Sequence, residues 1–143
     1  MRGGLSLSAL AIVGVLTQVV VYAEQLKGPI DQASGPKWQS TYMDLNPPRD
    51  FKKGERLQIK LQGTAQWVRV RLLPQHARED RPTGALEGKM RVPPGGVLEI
   101  SLRTSHVGVK QISVHCGKEA WGESLGEKNG EAEIVRIDVL PPK

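Results

Sequence analysis

One short segment of the chain carries a pattern associated with nucleophilic catalysis. Residues 122–126, GESLG, match G-x-S-x-G, in which a sharp strand-to-helix turn exposes the serine, here Ser124. The residues before this segment do not form an apolar strand, and those after it do not start a helix. All three histidines, His76, His106 and His115, precede Ser124, whereas that fold requires the order serine, acid, histidine. We therefore expect a glycine-rich loop and no catalysis at Ser124.

The candidate metal ligands are too scattered to predict a metal site. His115 and Cys116 are neighbours on an alternating segment, so their side chains point to opposite faces and cannot share an ion without a bulge. Glu79 and Asp80 supply two adjacent carboxylates, fewer than the roughly six to eight oxygens that calcium takes. The sequence thus predicts no metal, no cofactor and no active site, and a protein that is not an enzyme.

A set of polar and aromatic side chains is the best candidate for binding. Alternation along two neighbouring apolar strands places them together on one outer face: Gln58, Lys60, Trp67, Arg69 and Arg71. Indole rings stack on sugars and guanidinium groups bind acidic oxygens, so this face predicts a carbohydrate ligand or an acidic envelope polymer. The alternative is that Trp67 packs under a loop or the leader, with arginine stems lying over it.

Two further tryptophans have different expected roles. Trp121 lies in the glycine-rich segment and offers a second platform for the same ligand, or else plugs one end of the fold. Trp38 is expected to anchor the core. Nucleic acid is not an expected partner, because proteins that stack on bases place more aromatic residues along a more basic groove.

Short apolar runs separated by glycine and proline predict strands, because no apolar stripe of helical period persists beyond about two turns. Two alternating runs, 57–61 and 67–72, predict a hairpin turned at Gly63-Thr64. The other expected strands are 38–45, ending at Asn46-Pro47-Pro48, then 89–92, 97–103, 107–116 and 133–140, with loops over 74–87 and 117–130. The predicted fold class is all-β, a two-layer β-sandwich of about seven strands, jelly-roll or Ig-like.

A turn-and-strand pattern occurs twice, 41 positions apart. An apolar residue, Phe51 or Val92, is followed three positions later by a glycine and then by three alternating apolar residues. Two related hairpins covering one another would form the two layers of a sandwich. The alternative is that a turn glycine before a strand is a feature of any β protein.

Composition limits the class of protein. The chain has 143 residues, a formal net charge of +5 and one cysteine, which excludes a multidomain enzyme, a disulfide-stapled miniprotein and a zinc ribbon. Residues 1–23 have the positive start, apolar run and small terminal residues of a cleaved secretory signal peptide; a retained membrane anchor is the alternative. Residues 24–37 are expected to form a flexible leader and residues 38–143 the sandwich domain. We expect a secreted or periplasmic product with Cys116 buried rather than bridged to another chain.

One stretch resembles a known family. Residues 50–63, DFKKGERLQIKLQG, followed by residues 68–72, VRVRL, are similar to the opening hairpin of bacterial pre-peptidase C-terminal domains. The resemblance covers about a quarter of the expected mature chain. It implies a small secreted β-sandwich of the kind appended to exported hydrolases and related in shape to carbohydrate-binding modules. That family usually carries a tyrosine ahead of its later strand, and residues 107–116 contain none.

Together these patterns predict an exported, non-catalytic β-sandwich binding module for carbohydrate or another polar or anionic envelope ligand. The alternative is a structural or accessory subunit of a larger exported protein complex, which the polar leader and the lack of a convergent polar pocket favour.

Overall fold

The computed structural model describes residues 23–33, 39–73, 86, 88–120 and 123–143. Over these residues the chain forms strands and no helix, and two antiparallel sheets pack as an open sandwich. The predicted all-β, two-layer fold is therefore confirmed. The described part of the chain contains no helix that is long and apolar enough to cross a membrane. The expected signal segment, except Ala23, lies outside the described residues, as do Trp38, Trp121 and residues 79–80.

Eleven strands follow one another in the described chain. The first five are β1 (Glu24–Gln25), β2 (Ile30–Ala33), β3 (Ser40–Phe51), β4 (Arg56–Gly63) and β5 (Trp67–Leu73). The other six are β6 (Met90–Arg91), β7 (Val97–Ser101), β8 (His106–His115), β9 (Glu119–Ala120), β10 (Glu123–Ser124) and β11 (Ala132–Leu140). One sheet has the strand order β1-β11-β4-β7, the other has the order β2-β3-β8-β5-β6, and β9 and β10 form a separate hairpin.

Strand alternation builds the core between the two sheets. The inward side chains of β4 and β5 are all 4% exposed or less: Leu57, Ile59, Leu61, Val68, Val70 and Leu72. Ile112, Val114 and Ile137 complete the core from β8 and β11, and Cys116 is buried with them as predicted. Each such aliphatic side chain stabilises the fold by about 1.5–3 kcal/mol relative to an exposed one.

The prediction that β4 and β5 pair with each other in a hairpin is wrong. β4 pairs with β11 and β7, whereas β5 pairs with β8 and β6. The cause lies in the connection between them: the N–H groups of Thr64 and Ala65 donate to the carbonyl of Glu131, and that of Gln66 donates to the carbonyl of Asn129. The connection is thereby held against the chain that enters β11, and it crosses from one sheet to the other.

The early part of the chain also differs from expectation. β3 continues past the prolines expected to end it, because a register shift between Asp44 and Arg49 accommodates them as a bulge before pairing with β8 resumes. The described part of the expected flexible leader contains β1 and β2, which pair with β11 and β3. These are edge strands with mostly exposed side chains, so their composition is that of a loop. Leu26, which follows β1, is 5% exposed and belongs to the core.

The two copies of the repeated pattern lie side by side in one sheet. Gln58 and Glu99 occupy equivalent positions of the repeat and stand directly opposite each other on β4 and β7. Exchanging the two copies places β3, β4 and β5 on β6, β7 and β8. The strand order β3-β8-β5-β6 of the other sheet then becomes β6-β5-β8-β3, which is the same order read in reverse. The pairing therefore has approximate two-fold symmetry. The expected arrangement of two hairpins covering one another is wrong, because each copy spans both sheets.

Candidate functional site

The most distinctive polar feature of the described surface surrounds Trp67, at the start of β5. The Nζ atom of Lys89 lies 4.8 Å from the centroid of the Trp67 ring, and the Cζ atom of Arg91 lies 5.4 Å from it. Lys89 and Arg91 are exposed, whereas Trp67 is half-buried. A cation above an indole face is attracted by the ring quadrupole, so the ring holds two positive groups in place at the sheet edge. The sequence alternative placed arginine stems over Trp67, whereas the contacts over the ring are made by the charged ends of Lys89 and Arg91.

The pairing of β6 with β5 places Lys89 and Arg91 next to Trp67. Trp67 pairs with Arg91 and Val68 pairs with Met90 in the ladder between β5 and β6. The side chains of directly paired residues lie on the same face, so Arg91 is carried to the Trp67 side of the sheet. Lys89, two positions before Arg91, points to that side as well.

The Asn129 side chain fixes the backbone of Trp67. Its Oδ1 atom accepts a hydrogen bond of 2.9 Å from the Trp67 N–H group, and its Nδ2 atom donates one of 2.9 Å to the Trp67 carbonyl. The same Nδ2 atom donates to the carbonyl of Cys116 at 2.7 Å. Asn129 is 5% exposed and thus serves as a buried substitute for a strand partner at this point.

Arg69 lies on the same face of β5 and is oriented by a carboxylate. Its Nη1 atom is 2.5 Å from Oε2 of Glu123, which comes from the β9–β10 hairpin. The Oε1 atom of Glu123 accepts a hydrogen bond of 3.2 Å from the N–H group of Lys89. Glu123 therefore joins the hairpin, β5 and the segment that carries Lys89.

Arg71 and His115 form the more buried side of this face. Ser113 and His115 on β8 stand opposite Arg71 and Arg69, and the Ser113 Oγ and His115 Nε2 atoms are 2.6 Å apart. Burial, with the positive charges of Arg71 and Arg69 in addition, lowers the pKa of His115 to about 3. Burial also lowers the pKa of Arg71. His115 is thus neutral at neutral pH, and the positive charge of the face is carried by lysine and arginine. We call Trp67, Arg69, Arg71, Lys89 and Arg91 the β5 cluster.

The structure brings together only part of the predicted site. Trp67, Arg69 and Arg71 share one face, but Gln58 and Lys60 lie on β4, in the opposite sheet. Since both strands bury their apolar sides between the sheets, these two sets face away from each other. The prediction of one combined face is wrong because it depended on a hairpin that does not form. Trp121 lies outside the described residues.

The side chains of Gln58 and Lys60 on their own outer face are bonded to neighbouring groups of the protein. Gln58 Nε2 donates to Glu99 Oε1 at 3.3 Å, and an Arg56 guanidinium nitrogen lies 3.5 Å from Glu99 Oε2. The Lys60 Nζ atom donates to the Gly95 carbonyl at 2.9 Å. One ion pair and two hydrogen bonds of this kind are typical of a solvated sheet surface.

Lys89 and Arg91 were missed by the sequence prediction of the site. A signal existed, because the expected strand 89–92 places both side chains on one face. Nothing in the sequence indicated that this strand pairs with β5, and that pairing brings the two cations over Trp67.

The catalytic pattern around Ser124 has no elbow geometry. Ser124 is exposed on the two-residue strand β10, paired with Glu119 of β9, where a nucleophile elbow would require a strand followed by a helix. Among the described residues, no group of three or more histidine, cysteine, aspartate or glutamate side chains could hold a metal ion.

Comparison with known proteins adds no assignment, since no family model, curated protein or solved structure matches the chain. The resemblance of residues 50–63 and 68–72 to pre-peptidase C-terminal domains stays a prediction.

Proposed function

We propose that this protein is an exported, non-catalytic β-sandwich module that binds an acidic carbohydrate polymer through the β5 cluster, in the periplasm or outside the cell. The observation that carries the proposal is the placement of two exposed cations, Lys89 and Arg91, over the half-buried ring of Trp67. A cation held on an aromatic ring loses less freedom on binding a ligand than one on a mobile side chain.

The chemistry of the cluster suits carboxylate or sulfate groups. Guanidinium forks bind such groups through two parallel hydrogen bonds, and Lys89 adds a point charge. Arg69 is held by Glu123, which leaves Lys89 and Arg91 as the exposed pair that meets the ligand first. The half-buried Trp67 adds an aromatic ring of the kind that contacts the apolar face of a sugar.

Equilibrium binding to a panel of polymers tests this proposal. We expect the protein to bind polygalacturonate and hyaluronate and not the neutral polymer dextran, and to bind a short DNA duplex more weakly than either acidic polysaccharide. Trp67→Ala and Arg91→Ala should each weaken polygalacturonate binding about fivefold or more, a difference of about 1 kcal/mol. Gln58→Ala, on the opposite sheet, is the control and should bind as the native protein does. No binding, or equal binding by all variants, would contradict the proposal.

One observation favours the second candidate, an accessory subunit of an exported complex. β7 is the last strand of its sheet, and no described strand pairs with its other edge. Leu61 N–H donates to the Gly96 carbonyl, and Leu102 N–H donates to the Glu55 carbonyl. Backbone hydrogen bonds alternate along an antiparallel ladder, so every second residue of β7 bonds to β4, in step with Gly96 and Leu102. The backbone groups of the residues between them, Val97, Glu99 and Ser101, therefore point away from β4.

That edge suits an extended segment of a partner protein with a basic side chain opposite Glu99. Val97→Pro removes one outward N–H group and leaves the ladder with β4 intact. If the native protein co-elutes with a large assembly and Val97→Pro does not, while polygalacturonate binding is unchanged, the subunit role is supported. Elution of the native protein as a free monomer would contradict it.

A further inference from the structure

A cleft of about 470 Å³ opens at one end of the sandwich. It lies between the turn at residues 93–96 and the end of β4 with the connection that follows it. Its polar lining comes from Gln62, Gln66 and Arg91, and its apolar lining includes Pro93, Pro94 and Ala65. Arg91 also belongs to the β5 cluster, so the cleft adjoins the candidate binding face.

The internal repeat supplies a reference for this cleft, because the same turn occurs at the other end of the sandwich. The N–H group of Glu55 donates to the carbonyl of Lys52 at 3.0 Å, and that of Gly96 donates to the carbonyl of Pro93 at 3.0 Å. The third residue of each turn is a glycine with positive φ, 94° at Gly54 and 91° at Gly95. The two turns are therefore equivalent in sequence position and in backbone conformation.

The turn at residues 52–55 is covered by neighbouring chain. The N–H group of Lys53 donates to Ser105 Oγ at 3.0 Å, which ties the turn to the connection between β7 and β8. A Cβ atom added at Gly54 would lie 3.3 Å from the Cβ atom of Pro142. At this end, protein atoms occupy the space beside the turn.

The turn at residues 93–96 lacks both contacts among the described residues. Pro94 stands where Lys53 stands in the other copy, and proline has no N–H group to donate to the connection. The equivalent connection instead bonds to the chain before β11, through Thr64, Ala65 and Gln66 as described above. A Cβ atom added at Gly95 would meet no described atom within 4 Å. The cleft is thus open because the sequence removes one tie and redirects the other.

The lining of the cleft defines the ligand that fits it. Its volume lies within the range of small-molecule sites, about 300–1,000 Å³. The Gln66 amide can donate to and accept from hydroxyl groups, a guanidinium can bind a carboxylate, and proline rings present a flat apolar face. The Gln62 amide is already engaged, because its Nε2 atom donates to Glu133 Oε2 at 3.4 Å. We propose that this cleft is a subsite for one carboxylate-bearing pyranose ring, with Arg91 on the carboxylate and Gln66 on the hydroxyl groups.

This inference rests on the proposed function, since it gives one ring of the acidic polymer a defined place beside the β5 cluster. It goes further in predicting that a single monosaccharide binds, without the contribution of many charges along a polymer. The matching charged group and the volume of the cleft are both needed, so neutral galactose should bind more weakly than galacturonate.

The test is a titration of the full chain with galacturonate, followed by amide signals in nuclear magnetic resonance. We expect galacturonate to give saturable shifts of the amide signals of Gln66, Gly95 and Gly96. The affinity for galactose, measured from the same signals, should be at least about tenfold weaker. Pro94→Trp fills the cleft and should abolish these shifts. The matched control is Lys53→Trp, at the equivalent position of the other turn, which should leave them unchanged.

Two further comparisons keep the test decisive. If Pro94→Trp does not fold, Gln66→Ala should lower galacturonate affinity about fivefold without loss of structure. Shifts confined to residues around Lys89, or equal loss in both tryptophan variants, would overturn the subsite. If polymer binding depends on the β5 cluster but galacturonate shifts no amide signal, the subsite is overturned and the proposed function stands. Saturable galacturonate shifts in the cleft without any polymer binding would support the subsite and overturn the proposed function.

Discussion

Thr41 of β3 and Ile134 of β11 join the two sheets by a hydrogen bond through the core. The Thr41 Oγ1 atom accepts from the Ile134 N–H group at 3.1 Å, and Thr41 is fully buried. The register of β11 against β4 shifts immediately after Ile134. A bulge leaves a backbone group outside the ladder, and the threonine hydroxyl satisfies it from the opposite sheet.

We expect Thr41→Val to destabilise the protein by about 1–3 kcal/mol. Valine has nearly the shape of threonine, but it leaves the buried N–H group of Ile134 without its acceptor. Denaturant unfolding measures this change. Thr41→Ser keeps the hydroxyl group and should cost less than Thr41→Val. Equal stability of Thr41→Val and the native protein would contradict this role for the hydroxyl.

Burial of His115 predicts that stability falls in mild acid. Its pKa is about 3 in the folded protein, through burial and then the charges of Arg71 and Arg69, against an ordinary value of 6.5. Because the folded pKa is the lower one, the unfolded chain takes up the proton first as pH falls. The associated stability is complete above about pH 6.5 and is lost toward pH 3, with a slope approaching about 1.4 kcal/mol per pH unit.

Urea unfolding of the native protein and of His115→Gln at pH 7.5, 6 and 5 measures this slope. The native protein should lose stability between pH 6 and pH 5, and the variant should lose less by about 1 kcal/mol. Parallel pH profiles for the two proteins would mean that His115 is accessible to protons in the folded state.

The repeated turn allows a comparison of two adjacent glycines. Gly95 and Gly96 both have positive φ, but a Cβ atom at Gly95 meets no described atom within 4 Å, whereas one at Gly96 would overlap the Leu61 carbonyl. We expect Gly95→Ala to cost about 1–2 kcal/mol from backbone strain alone. Gly96→Ala should cost more by about 2 kcal/mol, since backbone must move as well. Thermal and denaturant unfolding of the two variants decides this, and an equal cost would contradict the packing of β7 on β4.

Cys116 should be chemically inert while the protein is folded. The residue is fully buried, its Sγ atom lies 3.6 Å from the Gln39 carbonyl oxygen, and burial raises the pKa of the thiol. At pH 8 we expect DTNB to leave the native protein unlabelled and to react with one thiol per chain after denaturation in guanidinium chloride. Rapid labelling of the native protein would show that the core opens at this position.

On β4 and β5 the sequence was sufficient to predict which side chains face the core. Two-residue alternation identifies Val68 and Val70 as buried, and it places Arg69 and Arg71 on the other side, where the structure has them half-buried. Alternation is a property of one strand at a time, so it is independent of which strand lies beside it.

Strand pairing and the full candidate site could not be predicted in the same way. Whether β4 pairs with β5 depends on the partner that the connection at residues 64–66 finds, and that partner, residues 129–131, is distant in sequence. The same is true of β6, whose two residues carry Arg91 to Trp67. Edge strands such as β1 and β2 are polar and short, so their sequences do not differ from those of a loop.

The most direct measurement of the central claim compares two variants with the same change in charge. Lys89→Gln with Arg91→Gln removes the two cations over Trp67, and Lys52→Gln with Lys53→Gln removes two exposed lysines from the turn at the other end of β4. At low salt we expect the first pair of substitutions to weaken polygalacturonate binding by about tenfold or more. The second pair should bind within about twofold of the native protein. Equal losses in the two proteins would show that binding follows net charge and would contradict a site at the β5 cluster.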